Sequence, residues 1–304
     1  MRTSLCHKAI LAAALALAVG AAHASTFQQQ VAADPRGEVD VSNISGSIVI
    51  NGWDKSTVSV TADLPGDTQR VKITGGHGRT SVCVAYNGSG SCNSPGFFSD
   101  RSSVRLELYV PRGSELEVSG VSADISSRGI AGAQHLNTVS GDIDAELGSG
   151  DDDVQSVSGD IHLYGKGQEG TLHVASVSGD LSVMNVAGEL DARTVNGRLS
   201  AGLSAASLVR LNTTSGDIDL SAQLASGGTV ETESINGDQK LEVSAPAGYA
   251  YEVRAFSGDI RDCFGQKSVR SEYGPGNHLD GTRGGGSGHV RVHSLSGDVS
   301  LCDH

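Results

Sequence analysis

Asp142, Asp160, Asp180, Asp217, Asp238, Asp259 and Asp298 each follow a glycine directly, and Asp124 follows Ala123. From Ala123 that small residue recurs after 18, 18, 20, 18, 19, 21, 21 and 39 positions. Carboxylates stacked at a fixed interval repel one another unless something offsets the charge. Two offsets are chemically available. Each aspartate can accept a hydrogen bond from backbone N–H groups of its turn, or the column can hold cations such as Ca²⁺, which take several oxygen ligands. Arg198 stands where the pattern calls for an aspartate, which interrupts a continuous cation site. The interval also differs from the nonapeptide repeat of calcium-loaded β-rolls. The expectation is a structural column that caps turns, with a Ca²⁺ column as the alternative.

Other residues invite the same question. "DIDAELGSGDDD" at 142–153 gathers Asp142, Asp144, Glu146, Asp151, Asp152 and Asp153, and reads as a solvated acidic loop. His289 and His293 are four apart and share one face if they lie on a strand, with Cys302 and His304 further on. Their spacing otherwise lacks a zinc pattern, so they read as structural or surface histidines. Trp53, Tyr86, Phe97 and Phe98 are the one place where aromatic residues gather, and an exposed ligand patch would be sought there first. There is no Gly-x-Ser-x-Gly elbow and no His-Glu-x-x-His, and "GGGSG" at 284–288 has no strand-to-helix context. The expectation is a protein that is not an enzyme, with no cofactor and no metal.

Residues 1–24 read as a signal peptide: Arg2 and Lys8, then "AILAAALALAVGAA", then "AHA" at Ala22–Ala24. The apolar run is too short for a comfortable membrane span, and no second one follows. Removing the leader leaves 20 basic against 35 acidic residues. That balance argues against nucleic acid and anionic lipid as partners, and permits cations, basic partners or neutral glycans. Four cysteines remain, and an even number in an exported chain indicates disulfides. Cys83 and Cys92 bracket a turn-rich segment and are paired on that ground. Cys263 and Cys302 each lie five positions after their glycine. If 264–289 loops out, their coils are neighbours and can bond. If it forms a full coil, they stand about 9.6 Å apart and cannot.

The elements that position these residues follow from the columns around the glycine. Two positions before it come Val139, Val157, Val177, Val195, Ile235, Phe256 and Leu295. Two positions after it come Ile143, Ile161, Leu181, Leu199, Ile218, Ile260 and Val299. Further apolar residues sit five or seven before and four after. This alternation reads as short strands with one face buried, both columns filling the core. The "SGD" corners admit a hairpin meander or propeller, but a β-solenoid accounts for more, since like residues then stack about 4.8 Å apart.

The series "TVSGDIDA", "SVSGDIHL", "SVSGDLSV" and "TTSGDIDL", with "GEVDVSNISGSIVINGWDKSTVSVTADL" at 37–64 and "VRLELYVPRGSELEVSGVSADISS" at 104–127, resembles the domain of unknown function 4097 family. These are exported bacterial β-strand-repeat proteins described as candidate adhesins. The resemblance implies a β-solenoid and an envelope location, and it brings no set of functional residues. The chain is therefore expected to be an all-β, single-domain β-solenoid with coils of about 18–21 residues. Its expected parse is a less regular N-terminal cap over 25–118 and regular repeats over 119–304. The expected function is a non-catalytic envelope module, adhesive or structural, periplasmic or at the cell surface. Its partner would be an envelope component, a glycan or a protein. The alternatives are a calcium-dependent binding protein using the Asp column, and a glycan-active enzyme on a β-helix.

Overall fold

The structure is a computed structural model that describes residues 25–65, 69–76, 78–86, 92, 103–270 and 275–303. The leader, Phe97, Phe98 and His304 lie outside the described residues. Every regular element among the described residues is a β-strand, and all join one hydrogen-bonded sheet system.

Successive repeats stack in parallel and in register. Leu136 pairs with Val154, Val154 with Val174, Val174 with Ala192 and Ala192 with Leu211. Beyond the corner, Ile143 pairs with Ile161, Ile161 with Leu181, Leu181 with Leu199 and Leu199 with Ile218. This is a solenoid-like stack in which each coil buries its apolar face with its neighbours.

The core differs from expectation in one column. Residues seven, five and three before the glycine point inward, as do those two and four after it. Val154, Ile161 and Leu163 are fully buried, and Ser156 is nearly so. The column two before the glycine points outward: Val139 is 47% exposed, Val157 46%, Val177 45% and Phe256 54%. The strict alternation expected of a strand fails because four consecutive residues at the corner turn away from the core. Parity counted backward across the glycine therefore lands on the wrong face.

The glycine itself is set by close approach. Gly159 has φ of +146°, and a Cβ there would stand 2.1 Å from the carbonyl oxygen of Gly141. At Gly216 the corresponding distance to the Gly197 oxygen is 1.9 Å. At these two corners a Cβ has no room at coil spacing, whereas the first corner of the series carries Ala123, stacked in register with Gly46.

The coils do not stack in strict sequence order. The strand Gly288–Ser296 pairs with the 229–236 part of Ile218–Asn236 on one side and with Tyr249–Ser257 on the other. Likewise Val299–Cys302 lies between Gln239–Ser244 and Ile260–Asp262. The last repeat is thus tucked between the two that precede it. The early part of the chain shows the same device. Arg79–Ala85 and Val104–Pro111 form the two arms of an outer coil, and Glu38–Trp53 lies between that coil and Glu115–Arg128. The parallel stack therefore begins within the expected cap.

Both outermost coils change to antiparallel pairing. Val104–Pro111 pairs with Thr57–Leu64, and Tyr249–Ser257 pairs with Asn277–Arg283. Antiparallel cover blunts the outer edges of those two strands against extension by another chain.

Candidate functional site: the corner column and the groove beside it

At each corner the main-chain ladder skips one group. Gly141 N–H donates to the Ser158 carbonyl and Ile143 N–H to the Asp160 carbonyl, which leaves the N–H of Asp160 without a main-chain acceptor. The Asp142 carboxylate accepts it, at 2.9 Å. The same bond links Asp124 to Asp142, Asp160 to Asp180 and Asp180 to Arg198. It then links Asp217 to Asp238, Asp238 to Asp298 and Asp298 to Asp259. Each of these seven accepting aspartates therefore serves the neighbouring coil rather than its own turn, and the order 238–298–259 traces the tucked repeat.

At the break, Arg198 lies 3.7 Å from both Asp217 and Asp219. Arg261 stands 3.6 Å from Asp298. Among the described residues no three His, Cys, Asp or Glu side chains converge as a metal site.

The other candidates disperse. In the 142–153 segment, Asp144 faces His162 across the ladder, Glu146 pairs with Lys166, and Asp153 accepts from Gln155. Asp152, expected in a solvated loop, is instead 4% exposed in the inward column between Gln134 and Leu172. Its carboxylate accepts the N–H of Gln134 at 2.9 Å. Burial raises its pKa to about 6, opposed by that hydrogen bond and by His135.

His289 and His293 share a strand, but four residues of strand separate them by about 13 Å, too far for one metal ion. The sulfurs of Cys83 and Cys92 lie at disulfide distance, with Cα atoms 6.0 Å apart. Those of Cys263 and Cys302 do too, at 4.9 Å. The expected aromatic patch divides: Trp53 packs on Tyr109, whereas the Tyr86 hydroxyl donates to the buried Asn43.

A groove that sequence reasoning missed runs beside the corner. One rail is the exposed apolar column, which in spatial order reads Val121, Val139, Val157, Val177, Val195, Thr214, Ile235, Leu295 and Phe256. The other rail lies two residues earlier, on the same outer face. Over the last coils it reads Arg193, Asn212, Glu233, His293 and Arg254, each in register with the next. Thr214 is the one small polar residue in the apolar rail, and there the groove deepens into a cavity of about 540 Å³. A second cavity of about 270 Å³ is edged by Arg210, Glu231 and Arg291, and a third of about 500 Å³ by Phe256, Pro275 and His278. His293 borders all three.

The strand Asn277–Arg283, rising from the insertion after Cys263, walls the far end. Most of the guanidinium groups are engaged: Arg193 by Asp191, Arg254 by Glu252, and Arg210 and Arg291 by Glu231. The signal that locates the groove is Thr214, in the "TTSGD" variant of the repeat. It becomes readable only once the apolar column is known to face outward.

An all-β stack of parallel coils, closed by antiparallel strands and carrying an amphipathic groove, is the class of molecule this geometry defines. Residues 38–302 match the family model described as Toastrack DUF4097, and the chain belongs to that family. No curated protein matches. Similar solved structures include a "putative adhesin" of Bacteroides fragilis, 11% identical, covering 92% of this chain and 98% of its own, with a TM-score of 0.42. A "putative lipid binding protein" of Parabacteroides distasonis is 12% identical over 92% of this chain and 95% of its own, with a TM-score of 0.33. A "putative adhesin" of the same species is 14% identical over 92% and 98%, with a TM-score of 0.32. No helix among the described residues is long and apolar enough to cross a membrane.

Proposed function

We propose that this protein is an exported, non-catalytic binding module of the cell envelope, adhesin-like, that holds a saccharide segment in the groove centred on His293. Residues 1–24 are its cleaved leader, and 25–304 form one repeat domain. The observation that supports this reading is the pairing of the two rails. Ile235, Leu295 and Phe256 offer apolar surface to the C–H faces of sugar rings. Beside them Asn212, Glu233 and His293 offer hydrogen-bonding groups to hydroxyls, and Phe256 gives a half-exposed ring at the walled end. Export is supported by two cysteine pairs at disulfide distance, since such pairs persist in oxidising compartments. On this reading the Asp column is structural, because one oxygen of each linking carboxylate is committed to a backbone N–H.

The test is co-sedimentation of the purified protein with envelope glycan from the source organism, for wild type and for T214W, L295E and F256A. Cell fractionation and the mass of the mature chain test export and cleavage after Ala24. Binding that falls at least several-fold in the three variants, with unchanged melting temperatures, is the expected result. Equal binding by all four proteins contradicts the groove. Binding abolished by protease treatment of the envelope, but not by glycan removal, contradicts the saccharide and assigns a protein partner.

A further inference from the structure

The last repeat occupies a slot one coil wide, bounded by main-chain edges on both sides, and its connection to the rest of the chain is glycine-rich. We propose that the coil 288–302 is an exchangeable element that fits the same slot in a second copy of this chain, and that the Cys263–Cys302 pair is the lock that keeps it in its own.

Four observations converge. First, the slot lies between Ile218–Asn236 with Gln239–Ser244 on one side and Tyr249–Ser257 with Ile260–Asp262 on the other, all paired in parallel to the inserted coil. A coil from a second copy makes the same ladder, so the exchanged and closed forms differ only at the connection. Second, the connection "RGGGSG" holds Gly284 at φ +58° and Gly286 at φ +68°, with Gly284, Gly285 and Ser287 exposed, and this is the backbone freedom a hinge needs. Third, at the coil's far end the side-chain fastenings of Cys302 and Asp303 join it to the outer coil and its cover. Cys302 meets Cys263, and Asp303 accepts from Tyr249 at 3.2 Å and pairs with Arg283. Toward the inner coil the ties are the ladder, Gln239 Nε2 to the His293 carbonyl, the Asp298 N–H to the Asp238 carboxylate, and Arg291 to Glu231. Fourth, neighbouring corners leave the slot with a carboxylate acceptor on Asp238 and a waiting N–H on Asp259, which any copy of Asp298 completes. Because His293 and Leu295 lie on the exchanged coil, each groove of an exchanged dimer is built from two chains.

The test uses two full-length variants, C263S and C302S. Each is incubated alone or with the other below its melting temperature under reducing conditions, then re-oxidised with oxidised glutathione. In the mixture a Cys263–Cys302 bond forms only between copies. The expected result is a covalent heterodimer, with that bond identified by peptide mass, several-fold more abundant than the cross-linked species of either variant alone. Cross-linking no greater in the mixture than in the single variants overturns the proposal, provided both keep the wild-type circular dichroism spectrum. If either variant fails to fold, deletion of Gly285–Ser287 in the wild-type background serves instead. A hinge too short to close in cis is expected to convert monomer to dimer on size exclusion under reducing conditions, and a monomer there overturns the proposal equally.

Discussion

At the scale of the residue, the corner aspartates act as substitutes for a missing carbonyl. Asp160→Ala removes the acceptor for the Asp180 N–H. Because the site is exposed and water competes, the expected loss is about 0.5–1.5 kcal/mol by chemical denaturation. Asp160→Asn keeps the oxygen and reduces the charge of the column, so it is expected to recover most of that loss. A Ca²⁺ site predicts the reverse, with Asn as damaging as Ala and a melting temperature that rises in millimolar Ca²⁺. With the carboxylates committed to backbone N–H groups, no Ca²⁺-dependent shift is expected.

Asp152 gives a signed pH dependence. Its folded pKa, about 6, lies above the ordinary carboxylate value, so the folded state holds this proton more tightly than the unfolded state. Its contribution is most favourable below the unfolded pKa. It is lost progressively as pH rises through the window from about 4 to 6, by up to about 3 kcal/mol. Asp152→Asn is expected to flatten that part of the stability profile and to raise the melting temperature at pH 7. An unchanged profile from pH 4 to 7 contradicts the burial argument. The corner aspartates were expected to accept backbone N–H groups, though of their own turn, whereas the buried place of Asp152 was not evident from residue type. Asp152 stood in a run of acids that looked solvated, and only its phase on the strand, two before Val154, carries it inward.

At the scale of the element, the corner decides which columns are core. The apolar residues at the expected positions after the glycine are buried, and those five and seven before it are too. The Val column two before the glycine was legible as a column but not as a surface. A parallel ladder keeps like residues together whether they face oil or water, so column identity alone carries no direction. What settles direction is the glycine corner, where φ near +140° and a carbonyl 2.1 Å from the missing Cβ hold four residues away from the core. Gly159→Ala introduces both the clash and the strained φ, and is expected to cost at least about 2 kcal/mol. Val157→Ser, on the outward column of the same corner, is expected to change stability by no more than about 0.5 kcal/mol. Denaturant midpoints for the pair separate this corner from a two-residue hairpin turn, in which the valine would be the costlier loss.

At the scale of the whole molecule, the early and late coils are each woven one place inward, and an antiparallel strand covers what is left outside. The repeat period predicts the stack, and the step of 39 between Gly258 and Gly297 signals an interruption. Nothing in the letters says that the chain returns between two coils instead of adding beyond them. Register equivalence of Cys263 and Cys302 makes them neighbours in either order, so the cysteines were legible while the topology was not. The weave matters for function because it places His293 between Glu233 and Arg254, and so assembles the polar rail of the groove from three coils stacked out of sequence order.

That order of coils carries both the groove and the exchangeable repeat, and engineered cysteines read it directly. Glu231 is in register with Arg291, and Arg291 with Glu252. In E231C/R291C the two thiols are expected to cross-link within one chain on mild oxidation. In E231C/E252C they lie two coils apart, about 9.6 Å, and are expected to stay free. Efficient bonding in E231C/E252C, with none in E231C/R291C, means the coils stack in sequence order and contradicts the account.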